Sequence, residues 1–123
     1  MPNETTDLIK NNPIKPEVEI TDLAKLDIRI GTITTAEKVE KSDKLIKLTV
    51  DFGDLIGVKQ ILTAMQEFYA PEDFIGMQTT FVINLKPRKM MGLESQGMIF
   101  AIDGKKPIFL LPKDKTVNGS SVI

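Results

Sequence analysis

The chain has 123 residues, 41% hydrophobic and 27% charged, a size and composition suited to one globular domain with a single core rather than two folded halves. It contains no Cys and no His, which excludes disulfides, cysteine–zinc and iron–sulfur sites, thiol nucleophiles, and the commonest general base and metal ligand. The 16 Lys and Arg against 17 Asp and Glu leave a net charge of −1, so any surface for a polyanion must be local.

Residues 1–20 carry Pro2, Pro13, Pro16 and the Asn11-Asn12 pair with little apolar content, the pattern of a flexible N-terminal arm with at most a turn at Leu8-Ile9. Over residues 1–22 the acids Glu4, Asp7, Glu17, Glu19 and Asp22 outweigh Lys10 and Lys15, which makes the arm a poor phosphate binder. The start Met1-Pro2-Asn3-Glu4 lacks the basic-then-apolar order of a secretory signal, and no apolar run reaches the roughly 18–20 residues of a membrane span. The expectation is a soluble, cytoplasmic protein.

Thr21 or Asp22 is placed to cap a short N-terminal helical element with Ile20, Leu23 and Leu26 as its apolar face. After Asp27 the period falls to two, predicting a first strand from Ile28 to Thr35 that bends at Gly31. Ile46, Leu48, Val50 and Phe52 alternate with Lys47, Thr49 and Asp51 in a second strand. A turn at Gly53-Asp54 leads to a third at Val58–Thr63, paired antiparallel. Pro71, Glu72, Asp73 and Gly76 mark a brief helix. Strands follow at Thr79–Leu85, Gly97–Ile102 and Ile108–Leu111. An all-β architecture is expected, a five-stranded Greek-key barrel of the OB type with its short helix between strands 3 and 4, with small sandwiches as the alternative.

The stretch from Asn84 to Met98 breaks this pattern. Lys86, Arg88 and Lys89 face a single acid, Glu94, and Pro87, Gly92 and Gly97 place the cations on a loop between strands. Such a loop can hold phosphates while Asn84, Ser95 and Gln96 reach base edges or ribose hydroxyls and Met98 offers a polarizable surface to a base. The competing reading is an ordinary charged loop, with Met98 in the core. Lys38, Lys41, Lys44 and Lys47 recur every three residues, a spacing that does not align on one strand face; Lys44 leans toward the groove and the others read as solvated. Phe52, Phe81, Phe100 and Phe109 sit among apolar strand residues and read as core rather than stacking platforms, whereas Phe68 and Tyr69 read as partly exposed. Met90-Met91 either line an adaptable contact surface or fill the base of the loop. Ser95 has no His partner, no carboxylate pair has a shared-site spacing, and no Gly-rich phosphate loop occurs, so neither catalysis nor a metal or cofactor is expected.

Asp27-Ile28-Arg29-Ile30-Gly31-Thr32-Ile33, Ser42-Asp43-Lys44-Leu45, Leu48–Gly53, Asn84-Leu85-Lys86-Pro87-Arg88 and Gly92-Leu93-Glu94-Ser95-Gln96-Gly97-Met98 resemble the tRNA-binding domain found at the C-terminus of many methionyl-tRNA synthetases. The likeness covers residues 20–123, with the domain itself at 21–123. It implies an OB fold that binds tRNA through shape and backbone, assists aminoacylation and has no catalytic step of its own. By position, it implies an RNA-contacting surface of Lys44, Asn84, Lys86, Arg88, Lys89, Ser95 and Met98. Arg29 is a weaker member, whose alternative is pairing with a neighbouring acid. Glu40-Lys41-Ser42 stands where the family usually has His or Pro. The resemblance also implies a homodimer formed around Ile20, Leu23, Leu26, Leu111 and Val117, and the synthetase catalytic domain as a partner. Similar domains include a bacterial export chaperone, which makes protein binding the alternative function.

Overall fold

The computed structural model describes residues 11–123, so the turn expected at Leu8-Ile9 lies outside the described residues. A one-turn helix, α1 (Ile20–Leu23), precedes nine strands: β1 (Ile28–Lys38), β2 (Ile46–Asp51), β3 (Val58–Thr63), β4 (Gln78–Val82), β5 (Arg88–Met90), β6 (Leu93–Ser95), β7 (Met98–Ile99), β8 (Ala101–Ile102) and β9 (Ile108–Phe109). The helix is capped at Glu19 rather than at Thr21 or Asp22; the Asp22 carboxylate accepts from the Glu19 amide at 3.3 Å, three residues back.

Five strands form one antiparallel sheet in the order β3-β2-β1-β4-β7, curled into a nearly closed barrel of the OB type. β1 serves two neighbours, pairing with β4 over Ile28–Thr32 and with β2 over Thr32–Lys38, which is why it runs past the expected end at Thr35. Its register shifts between Ile33 and Thr35, beyond Gly31. Gly31 itself answers a packing demand: a Cβ there would lie 2.7 Å from both Phe52 Cε1 and Val50 Cγ1. Where β2 has left the first half of β1, the C-terminal segment takes its place, with Gly119 donating to the Ile30 carbonyl at 2.7 Å and Ile30 to the Ser120 carbonyl at 3.0 Å.

Alternation along β2 buries Ile46, Leu48 and Val50, which join Ile33, Phe52, Ile61, Phe74, Phe81 and Ile99 in the barrel core. Phe52 and Phe81 meet edge to face at 5.4 Å. Phe100 and Phe109 are only half-buried, and the fully buried Phe74 replaces them in the core; it follows a 3-10 turn at Pro71–Asp73, where the sequence predicts a helix. Tyr69 and Phe109 pack on Phe74 at the edge of this core.

Three expectations are corrected beyond β4. The predicted fourth strand stops at Val82, three residues early. The stretch expected to be a loop contains the β5–β6 hairpin, closed by Met91 and Gly92 with φ of 52° and 79°. Two successive positive φ values match a twisted two-residue turn, and Met-Gly does not announce it as Asn-Gly would. The predicted fifth strand divides at Phe100, its first part pairing with β4 and its second with β9.

Candidate nucleic-acid interface

The hairpin sorts its residues by face. Arg88 lies opposite Ser95, Lys89 opposite Glu94 and Met90 opposite Leu93, so Arg88, Met90, Leu93 and Ser95 share the inner face while Lys89 and Glu94 share the outer. Met90 and Leu93 pack on Val39, Leu45 and Leu62, a second small core joining the hairpin to the β1–β2 turn. A mixture of side-chain and backbone bonds, rather than a regular ladder, fastens the hairpin to β3. Gln60 donates its backbone N–H to Gln96 Oε1 at 2.8 Å and its Nε2 to the Glu94 carbonyl at 2.9 Å, and Gln96 N–H donates to the Gln60 carbonyl at 2.8 Å.

Between the hairpin and β7 lies a cleft of about 80 Å³ with Lys86 and Arg88 on its rim, Met98 and Leu85 as apolar walls, and Leu62, Met90, Ser95 and Gly97 around them. It is far smaller than the roughly 300–1,000 Å³ of small-molecule pockets and fits the edge or face of a group laid across it. Gly97 lets the chain pass here, since a Cβ would lie 2.7 Å from the Val82 carbonyl oxygen. Met98 is 46% exposed, which places it in the groove and not in the core.

The residues predicted as a site separate into three groups. Lys86, Arg88, Ser95 and Met98 converge on the cleft, while Lys89 points from the outer face of the same hairpin. Lys44 stands exposed on the β1–β2 turn, next to Leu45 of the second core. Asn84 and Arg29 serve a different corner. The Asn84 side chain accepts from the Asp27 amide at 2.8 Å and donates to the Lys25 carbonyl at 2.7 Å, which ties the α1–β1 connection to the segment just after β4. Arg29 is held by Asp27 at 2.6 Å and donates to the Gly119 carbonyl at 3.1 Å, the pairing named as its alternative role. Ser95 lines the cleft with a committed hydroxyl: it accepts from the Leu62 amide and donates to the Gly97 carbonyl, both at 3.0 Å.

Among the described residues, Lys44, Lys86, Arg88 and Lys89 have no acid within ion-pair distance, whereas Lys25, Arg29 and Lys47 do. Unpaired cations beside an exposed thioether can neutralise phosphates while a base lies on the apolar wall. Leu85 was missed as a cleft residue, whereas Met90, read as lining a contact surface or filling the base of the loop, does both. The Gln60–Gln96 fastening has no local signal, because it joins positions far apart in the sequence.

A family model described as "Putative tRNA binding domain" matches residues 28–121. The chain belongs to this tRNA-binding domain family. Among curated relatives, it is 44% identical over 109 residues to the methionine–tRNA ligase of Clostridium acetobutylicum, covering 85% of this chain and 17% of that enzyme. It is 47% identical over 110 residues to the ligase of Archaeoglobus fulgidus, covering 88% of this chain and 16% of the enzyme. The chain thus spans about a sixth of the length of these ligases. Two solved structures share its architecture at 32% identity: a MetRS-related protein from Pyrococcus horikoshii, with a TM-score of 0.82, and the chaperone CsaA from Bacillus anthracis, with a TM-score of 0.81. They cover 89% and 88% of this chain, and each is matched over 100% of its own. No helix among the described residues is long and apolar enough to cross a membrane.

Proposed function

We propose that this domain binds tRNA across the hairpin cleft and assists aminoacylation by methionyl-tRNA synthetase, contributing affinity and no chemical step. The observation that carries the reading is the convergence of the unpaired Lys86 and Arg88 on the cleft walled by Met98. Lys86 and Arg88 take phosphates, Met98 packs on a base, and Lys44 and Lys89 add longer-range attraction from the β1–β2 turn and the outer hairpin face. Asn84 and Ser95 act by shaping the site, and Arg29 by anchoring the C-terminal segment. Binding by shape and backbone predicts similar affinity for different tRNAs and a steep salt dependence.

The test is a titration of total tRNA at several salt concentrations, with an unfolded polypeptide such as casein as competitor. Salt-sensitive binding that casein does not displace supports the reading. Salt-insensitive binding to casein, with none to tRNA, would replace it with the chaperone reading, which the likeness to CsaA favours.

The exposed Ile20, Leu23, Leu26, Leu111 and Val117 support a homodimer in which a second copy covers these apolar side chains. The ligase relatives support the synthetase catalytic domain as a further partner and the cytoplasm as the place of action. Light scattering should give twice the 13.7 kDa chain mass; a monomer at high concentration would refute the dimer.

A further inference from the structure

Among the described residues, two that are not glycine have positive φ, Lys41 at 66° and Met91 at 52°. They belong to different turns, yet both line one open hollow of about 450 Å³ between the β1–β2 turn and the hairpin tip, together with Lys38, Lys47 and Leu93 and the acids Glu37 and Glu40. Lys41 occupies the third position of the turn closed by the Ser42 amide on the Val39 carbonyl at 3.1 Å, where a positive φ favours Gly or Asn. A lysine there carries a backbone penalty that glycine would avoid, and strained residues of this kind gather at functional sites.

The turn is rigidly held. Gln66 Nε2 donates to the Ser42 carbonyl at 3.0 Å and the Leu45 carbonyl at 2.6 Å, and the Ser42 hydroxyl accepts from the Lys44 and Leu45 amides at 3.2 and 3.0 Å. Of the three lysines around the hollow, Lys47 is matched by Glu37 at 2.6 Å. Lys38 and Lys41 have no ion pair among the described residues, which leaves an excess of one cation after Glu40. Met91, 58% exposed, adds a polarizable wall. Leu93 lines this hollow and also belongs to the small core whose Met90 and Leu62 line the Met98 cleft, so the two depressions flank the same inner hairpin face.

We propose that this hollow is a second RNA subsite, in which Lys38 and Lys41 hold a phosphodiester and Met91 packs on the face of an unstacked base. The proposal rests on the tRNA reading of the hairpin and extends the bound strand across the hairpin tip.

The discriminating variant is Lys41→Gly, which removes the charge and relieves the backbone together. Urea unfolding should show stability unchanged or raised. Titration with total tRNA should show affinity reduced about 2- to 10-fold, the scale of one such contact, and a log–log salt slope smaller by about 0.7–0.9. Met91→Asn, compatible with the same φ, should reduce affinity by a similar factor without changing the slope. Wild-type affinity and slope in Lys41→Gly would overturn the subsite. The tRNA reading is tested separately by Lys86→Ala with Arg88→Ala: if that pair leaves binding intact, the reading fails and the subsite with it. If the pair weakens binding and Lys41→Gly does not, only the subsite fails. Loss of casein binding in Met91→Asn with tRNA binding untouched would assign the hollow to a polypeptide and overturn the proposal.

Discussion

The Leu62 amide donates to the Ser95 hydroxyl at 3.0 Å, so a side chain on the hairpin supplies the acceptor that a neighbouring strand would otherwise give to β3. Ser95 is 6% exposed, and its own proton goes to the Gly97 carbonyl. Ser95→Ala strands the Leu62 N–H away from water. We expect a stability loss of about 1–3 kcal/mol in urea unfolding, the penalty for an unsatisfied buried donor. A stability unchanged from wild type would show that water or a backbone shift replaces the bond.

Met98→Ala should behave in the opposite way. The side chain is 46% exposed on the cleft wall, so its removal leaves the melting temperature nearly unchanged and lowers tRNA affinity by about 0.5–2 kcal/mol, as for a partial stacking contact. A sharp fall in melting temperature with intact affinity of the folded protein would assign Met98 to packing.

The hairpin cations should differ among themselves. Lys86→Ala and Arg88→Ala, on the cleft rim, are each expected to lower the log–log salt slope by about 0.7–0.9 and to weaken all tRNAs alike. Lys89→Ala, opposite Glu94 on the outer face, should change the slope less. Equal effects from all three would mean that the RNA wraps both faces of the hairpin.

Arg29→Met tests an anchoring role against a contact role. Arg29 is engaged by Asp27 and the Gly119 carbonyl, so its loss should cost on the order of 1 kcal/mol of stability and leave the tRNA affinity of the folded protein as it was. A weakened affinity at unchanged stability would return Arg29 to the RNA surface.

The barrel was legible because its signals are local. The alternation of Ile46, Leu48, Val50 and Phe52 specifies one buried face, and the Gly53-Asp54 turn sends the chain back beside it. The cations at 86, 88 and 89 were legible as a cluster, but their division between two faces required the hairpin, whose Met91-Gly92 turn lacks the usual residues. The hydrogen bonds of Asn84 and Ser95 were not legible, because polar residues at strand ends carry no mark of their partners. Those partners, Asp27 and Lys25 for one and Leu62 for the other, lie 33 to 59 positions away. Phe74 escaped the core reading for a similar reason, since it follows a 3-10 turn with no strand alternation around it.

The small apolar cluster of Val39, Leu45 and Leu62 under Met90 and Leu93 is distinct from the barrel core. The hairpin therefore rests on a small core of its own, and local opening that leaves the barrel folded is expected to begin at its tip rather than in the firmly held β1–β2 turn. In native-state hydrogen exchange the amides of Met90 and Leu93, which flank the two-residue turn, should exchange through local opening, well ahead of those in β2. Substitutions at the exposed hairpin positions Arg88 and Lys89 can therefore accumulate with little effect on the barrel's global stability, whereas those at the buried Ser95 cannot.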